Sequence, residues 1–323
     1  MSNKPLVSVC VLAYNAAEYV IETLESIKAQ TYDNIELIVS DDFSSDNTAH
    51  LCKIWLDENG SRFTRTELIT VEENSGVTAN CNRALDVSTG KYWKCIGSDD
   101  LLTNDAIEKC VNFLENNPEK EFIFGNQYKF SGDFRTAEFK VDKLGFTFTR
   151  LNEKISAKQQ LNYLTRFFFG CAPSSFSTTE VLKRVGGFDS RFPYQEDGPM
   201  YIRLTKHGVK LWYFDDFLVY RRVHSESIMH KKKTDALLLD VTVKSILNPS
   251  SAASYAMYEN SSYIWKQCYK FLMFLYRKII ENGNSKKSIK ALFYNWVRRL
   301  FSPYKFYVIY MLCRERIAEK IHS

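Results

Sequence analysis

Short apolar runs alternate with stretches of helical period along the first 130 residues. Residues 6–13 are apolar and β-branched, with the length of a buried parallel strand. Val20, Leu24 and Ile27 then recur on one helical face, and Asn15 stands where a cap for that helix is expected. Residues 35–40 read as a second strand, followed by a helix carrying Leu51, Ile54 and Trp55. A third strand is predicted at 68–71, a helix carrying Ala79, Arg83 and Leu85 after it, and a fourth strand at 92–96. A helix at 105–115 and a strand at 122–124 continue the series. Strands alternating with helices over short loops predict an α/β fold with a doubly wound, mostly parallel, Rossmann-like sheet. Residues 130–165 look irregular. Pattern returns from Gly170, through Gly186, Gly187, Phe188 and Asp189, to Glu196, Asp197 and a helix over 199–207. From Asp235 onward the chain reads as helical.

Ligands of open α/β sheets bind beyond the carboxyl ends of the strands. Three polar clusters fall there: Tyr14 with Asn15, Asp41 with Asp42, and Asp99 with Asp100. Any one of them is ordinarily a solvated turn or a helix cap. Three at one edge point to a ligand site. Carboxylates at a strand end repel a bare diphosphate and make sense when a hard cation lies between. Asp99 and Asp100 therefore imply a divalent metal, Mn²⁺ or Mg²⁺.

Composition narrows the class. The 323 residues are 45% hydrophobic and 25% charged, as in globular proteins. No run approaches the roughly 18 apolar residues of a membrane span. The apolar run at 6–13 lacks the flanks of a signal peptide, so a cytoplasmic protein is expected. Eight cysteines without a CxxC pair argue against a zinc ribbon or a thioredoxin-type site and read as reduced, mostly buried thiols. The net charge of +5 is unevenly placed. Thirteen Lys or Arg against three Asp or Glu give residues 260–323 a charge of +10, which leaves −5 on the rest.

The segments VSVCVLAYN, IVSDDFSSDNT, ENSGVTANCNRAL, GKYWKCIGSDD, VGGFD, QED and YRRVHSESI follow one another in this order. The ordered set resembles the family 2 glycosyltransferases, which have the GT-A fold, over roughly residues 5–230. The resemblance implies a catalytic domain over 1–235, with a nucleotide-binding half to about 125 and an acceptor-side half from 126. It implies that Ala13, Tyr14 and Asn15 line the nucleotide pocket. Asp42, with Asp41, would accept a hydrogen bond from the imide N–H of uracil or thymine. Asn82 and Arg83 would lie on the helix beneath the nucleotide, although a surface ion pair explains Arg83 equally well. Ser98 and Asp100 would contact the donor, and Asp99 would hold the metal together with His224. Arg221 and Arg222 could neutralise phosphate. Asp197 would be the general base of a single displacement that inverts the anomeric carbon, with Glu196 positioning it or the acceptor. The competing role for this pair is a helix N-terminus. One departure stands out: Gly97 replaces the acid that usually opens the family's metal motif.

The expected activity is metal-dependent, inverting transfer of one sugar from a UDP-sugar, or a dTDP-sugar as second choice, to a hydroxyl of a glycan or lipid-linked acceptor in surface polysaccharide synthesis. No QxxRW motif of processive synthases is present. Alternatives are a sugar-nucleotide nucleotidyltransferase, although the first strand is followed by no Gly-rich phosphate loop, and an inactive binding protein of the same fold. Residues 236–323 form a basic helical extension in this reading. Ile289, Leu292, Phe293, Trp296, Val297 and Leu300 make an apolar face edged by basic residues, which suits peripheral contact with the inner face of the cytoplasmic membrane or a dimer contact. Nothing accompanies the charge that would indicate nucleic acid.

Overall fold

The structure is a computed structural model and describes residues 4–142, 155–164, 172–190, 192 and 196–223. His224 and the basic extension lie outside the described residues. Chain contacts group residues 1–161 and 169–227 into one compact unit, and the fold below is that unit.

β1 (Val7–Ala13) and β2 (Ile35–Asp41) are the apolar runs of the sequence, buried along almost their whole length. They pair in parallel with each other, β2 with β3 (Arg65–Thr70), and β1 with β4 (Tyr92–Gly97). Helices α1 (Val20–Lys28), α2 (Thr48–Asn59) and α3 (Val77–Val87) make the crossovers. Each buries residues three and four apart; in α1 these are Val20, Thr23, Leu24 and Ile27. The faces of α1 and α2, the strands and α4 (Ala106–Glu115) share one continuous core.

Beyond β4 the sheet becomes mixed. β8 (Ser175–Thr178) runs antiparallel between β4 and β6 (Phe122–Phe130). β9 (Trp212–Arg222) runs parallel to β6, and the two-residue β5 (Leu101–Leu102) closes the edge on β9. β7 (Lys140–Asp142) pairs with the end of β6. The sheet is therefore α/β and doubly wound as expected, parallel in its first half and mixed in its second. The irregular stretch at 130–165 also contains α5 (Ala157–Leu164). Gln160 closes it on Leu211, giving Nε2–H to that carbonyl at 2.7 Å and taking its N–H at 2.8 Å. The helices α6 (Thr179–Arg184) and α7 (Asp197–Lys206) complete the unit.

One expectation is corrected. Asn15 does not cap α1, which starts at Val20 behind Tyr19. Asn15 has φ 48° instead, a left-handed conformation that Asn tolerates. Its side chain accepts the Ser45 N–H at 2.7 Å, stitching the loop after β1 to the loop after β2.

Candidate active site

Register decides where the polar clusters meet. Ala13 is opposite Asp41, and Leu12 is opposite Gly97. The loops after β1, β2 and β4 thus leave the sheet side by side, about 5 Å apart. The rings of Tyr14 and Phe43 are both about half exposed there. Phe43 holds φ 66°, a strained value for a bulky side chain. Nothing in the sequence pattern singled it out.

Asp41 and Asp42 are both buried but differ in use. Asp41 accepts the backbone N–H and the hydroxyl of Ser44, at 2.9 and 2.5 Å, and so shapes its own turn. Asp42 reaches the start of α3. It accepts the Ser75 N–H, the Ser75 hydroxyl, the Gly76 N–H and an Arg83 N–H, between 2.5 and 3.2 Å. Burial works to raise its pKa, but the donors of Arg83, Ser75 and Gly76 prevail and hold it below the usual carboxylate range. Arg83 is thus an ion-pair partner in the floor of the cleft, not at the surface.

Asn82 faces elsewhere. Its amide donates to the Phe188 carbonyl at 3.0 Å and its Oδ1 accepts the Phe188 N–H at 2.8 Å. Gly186 and Gly187 have φ of +86° and +67°, and a Cβ on Gly187 would lie 2.8 Å from Asn82 Oδ1. Both glycines are therefore required for the turn to close on α3. Arg203 of α7 donates to the carbonyls of Gly186 and Gly187 and pairs with Asp189 at 3.1 Å. The GGFD turn is thus pinned to α3 on one side and to α7, whose first turn carries Glu196 and Asp197, on the other. Arg203 was not picked out from the sequence.

At the end of β4, Ser98 is buried and its N–H donates to Leu12. A Cβ on Gly97 would lie 2.8 Å from Asp99 Oδ1. The Asp99 carboxylate therefore occupies the space that a side chain at 97 would need, which partly answers the missing acid. Asp100 is turned inward and accepts the Arg222 backbone N–H at 2.9 Å. Burial and the neighbouring Asp99 charge push its pKa well up.

The two arginines of β9 point to opposite faces. Arg222 is buried and spent. It pairs with Glu22, donates to the carbonyls of Gly132 and Asp99, and is packed between the rings of Tyr19 and Phe130. A phosphate could reach it only by displacing those partners, so Arg222 positions the Asp99 backbone, contrary to the donor contact expected. Arg221 faces the acids: its charge lowers the pKa of both Asp100 and Asp197, so one guanidinium sits within electrostatic reach of both clusters.

Asp197 is the first residue of α7, and its carboxylate accepts the adjacent Gly198 N–H at 2.6 Å. Burial, and next the Glu196 charge, push its pKa up to about 7. Burial raises Glu196 as well. Two acids thus stand side by side at the start of α7, both raised by burial.

Among the described residues no group of three or more His, Cys, Asp or Glu could by itself hold a metal ion. Asp99 follows β4 by two residues. Divalent cations are commonly held by one or two carboxylates together with substrate phosphates, and the site fits that mode. The five described cysteines are free and four are buried, in keeping with the expected reduced thiols. No helix among the described residues is long and apolar enough to cross a membrane.

The sequence model of Glycosyl transferase family 2 matches residues 8–183. An uncharacterised glycosyltransferase of Haemophilus influenzae is 39% identical over 148 residues, which cover 41% of this chain and 44% of that protein. An Escherichia coli protein named as a UDP-Glc:α-D-GlcNAc-diphosphoundecaprenol β-1,3-glucosyltransferase is 26% identical over 75% of this chain and 86% of its own length. Among solved structures, a mannosyltransferase of Pyrobaculum calidifontis in complex with GDP-Man and Mn²⁺ superposes with a TM-score of 0.54 at 18% identity, covering 95% of this chain and 84% of that one. At that identity the likeness concerns the GT-A fold.

Proposed function

Since the chain belongs to glycosyl transferase family 2, we propose that it moves one sugar from a UDP-sugar to a hydroxyl of a glycan or lipid-linked acceptor in surface polysaccharide synthesis. The feature that carries this reading is the acidic pair Glu196 and Asp197 at the start of α7, where burial and the Glu196 charge push Asp197 up to about 7. An acceptor hydroxyl is a weak nucleophile and needs such a group as its oxygen attacks the anomeric carbon. Asp197 takes that proton, and Glu196 keeps its affinity for it high. One displacement with one base inverts the anomeric configuration.

The nucleotide lies across the ends of β1 and β2, framed by Ala13, Tyr14, Asn15 and Ser98. Asp42 Oδ2 accepts the Gly76 N–H and keeps a lone pair for the imide N–H of uracil. The rings of Tyr14 and Phe43 flank the base, and Arg83 fixes the orientation of Asp42. Asn82 contributes at one remove, by holding the turn that carries the acceptor side. Asp99, with His224, holds a divalent cation, Mn²⁺ or Mg²⁺. Bound there, the cation would neutralise charge growing on the leaving diphosphate. The E. coli relative's UDP-Glc donor and diphosphate-linked acceptor support both substrate classes. The +10 charge of residues 260–323 supports peripheral contact with an anionic membrane face.

A thermal-shift screen of UDP-, dTDP- and GDP-sugars with Mn²⁺ tests the reading, since a ligand of the folded state raises the melting temperature. UDP-sugars are expected to give the largest rise, and turnover to release UDP. Release of pyrophosphate would mean a nucleotidyltransferase. No response to any nucleotide-sugar would mean a binding protein without donor chemistry.

A further inference from the structure

Arg221 of β9 is in register with Lys129 of β6, and Lys129 with Lys140 of β7. Partners in register on neighbouring strands share a face, so three basic side chains stand in a row across three strands, about 10 Å from end to end. Like charges directly opposite one another destabilise a sheet. Asp142, in register with Gln127 on the same face, pairs with Lys129 at 2.6 Å and accepts from Gln127 Nε2 at 2.8 Å. The three cations outnumber this acid by two, although Arg221 also acts on Asp100 and Asp197. Gln127, on the same face, is 2% exposed, and its Oε1 meets no donor. A buried amide oxygen in that state carries an uncompensated desolvation cost unless a ligand satisfies it. The opposite face of the same strands needs nothing: Tyr128, Phe130, Phe134, Phe139 and Tyr220 pack ring on ring.

The row also has a direction. β5, which directly follows Asp99 and Asp100, lies on one edge of β9, while β6 and β7 lie on the other. Arg221 is the end near the reaction centre. Lys129 and Lys140 lead away from the donor's metal site, one and two strands farther on. The Lys129 and Lys140 end thus lies on the far side of Arg221 from β5 and the acids that precede it.

We propose that Arg221, Lys129 and Lys140 form an acceptor subsite for an anionic phosphate group, with Gln127 Oε1 accepting a hydroxyl next to that phosphate. The assignment rests on the sugar-transfer reading above and narrows its acceptor to a phosphate-bearing glycan or glycan carrier.

Inorganic diphosphate titrated into the full-length chain in metal-free, low-salt buffer probes the row, because without metal the donor-side acids repel it. Saturable binding that weakens with salt is expected, reduced at least fivefold in Lys129→Gln and in Lys140→Gln. Lys140 is exposed, so its variant keeps the fold even if Lys129→Gln does not. UDP with Mn²⁺ should bind both variants within twofold of the parent. Absence of saturable diphosphate binding, or binding unchanged in both variants, overturns the subsite. So does a parallel fall in UDP affinity, which would give the row to the donor. A parent chain that binds diphosphate through the row but never binds UDP keeps the subsite and removes the donor assignment.

Discussion

Asp42 is held under four donors from Ser75, Gly76 and Arg83, whereas Asp197 accepts N–H groups from its own helical turn and has Glu196 for a neighbour. The first is depressed below the usual carboxylate pKa and the second is pushed up to about 7. Asp42 is buried and Asp197 half-buried; burial raises both, and only Asp42 has a set of donors that outweighs it. A saturated carboxylate is a fixed acceptor suited to reading a base. An unsaturated one beside a like charge is a proton acceptor. In the proposed reading, the first serves recognition of the donor and the second the chemistry of transfer.

The difference has a signature in stability against pH. The folded pKa of Asp197 lies above its ordinary 3.8, so the folded chain holds that proton more tightly. Its contribution to stability is full below about 4 and is lost as pH rises toward 7. Asp42 acts oppositely: its contribution is present above its ordinary value and is lost as pH falls through the lowered one.

The sharpest way to break the comparison is Asp197→Asn. Transfer should fall about 10²–10⁴-fold, the range for loss of a general base, with UDP affinity unchanged. The same variant should melt higher than the parent at pH 8, because an unfavourable buried charge is gone. Transfer assays, UDP titration and melting curves on one preparation check all three. Asp99→Asn should come next, with turnover lowered about 10²-fold and Mn²⁺-dependent UDP binding lost. Full activity of the parent in excess chelator would remove the metal from the account. Arg83→Met should cost about 1–3 kcal/mol of stability, since it strips one donor from buried Asp42. It should weaken UDP binding several-fold while kcat at saturating donor changes little. A fall in kcat alone would mean that Arg83 belongs to the chemistry and the division drawn here is misplaced.

Much of this was legible in the chain. Local periodicity gave the parallel half, because buried strands and one-faced helices write their period directly into the sequence. The clusters at 14–15, 41–42 and 99–100 could be located for the same reason. What depends on pairing between distant segments could not be read. β8 and β9 are defined by their partners, and β9 carries Arg221 and Arg222 to opposite faces, so the choice between them was invisible. Asp100 and Arg222 look like ligand contacts as residue types, but each is spent on the other's neighbourhood. Asn15 has the composition of a cap, and its left-handed backbone sends it to Ser45 instead. The role of Asn82 depends on a contact with Phe188 across 106 positions.

The central claim is that Glu196 and burial together tune Asp197 to accept a proton near neutrality. The pH dependence of kcat, measured for the parent and for Glu196→Gln, tests it most directly. The account predicts an acidic limb near pH 7 in the parent, moved to lower pH when the Glu196 charge is removed. A rate that stays flat from pH 5.5 to 8, or a limb that Glu196→Gln leaves in place, would contradict it.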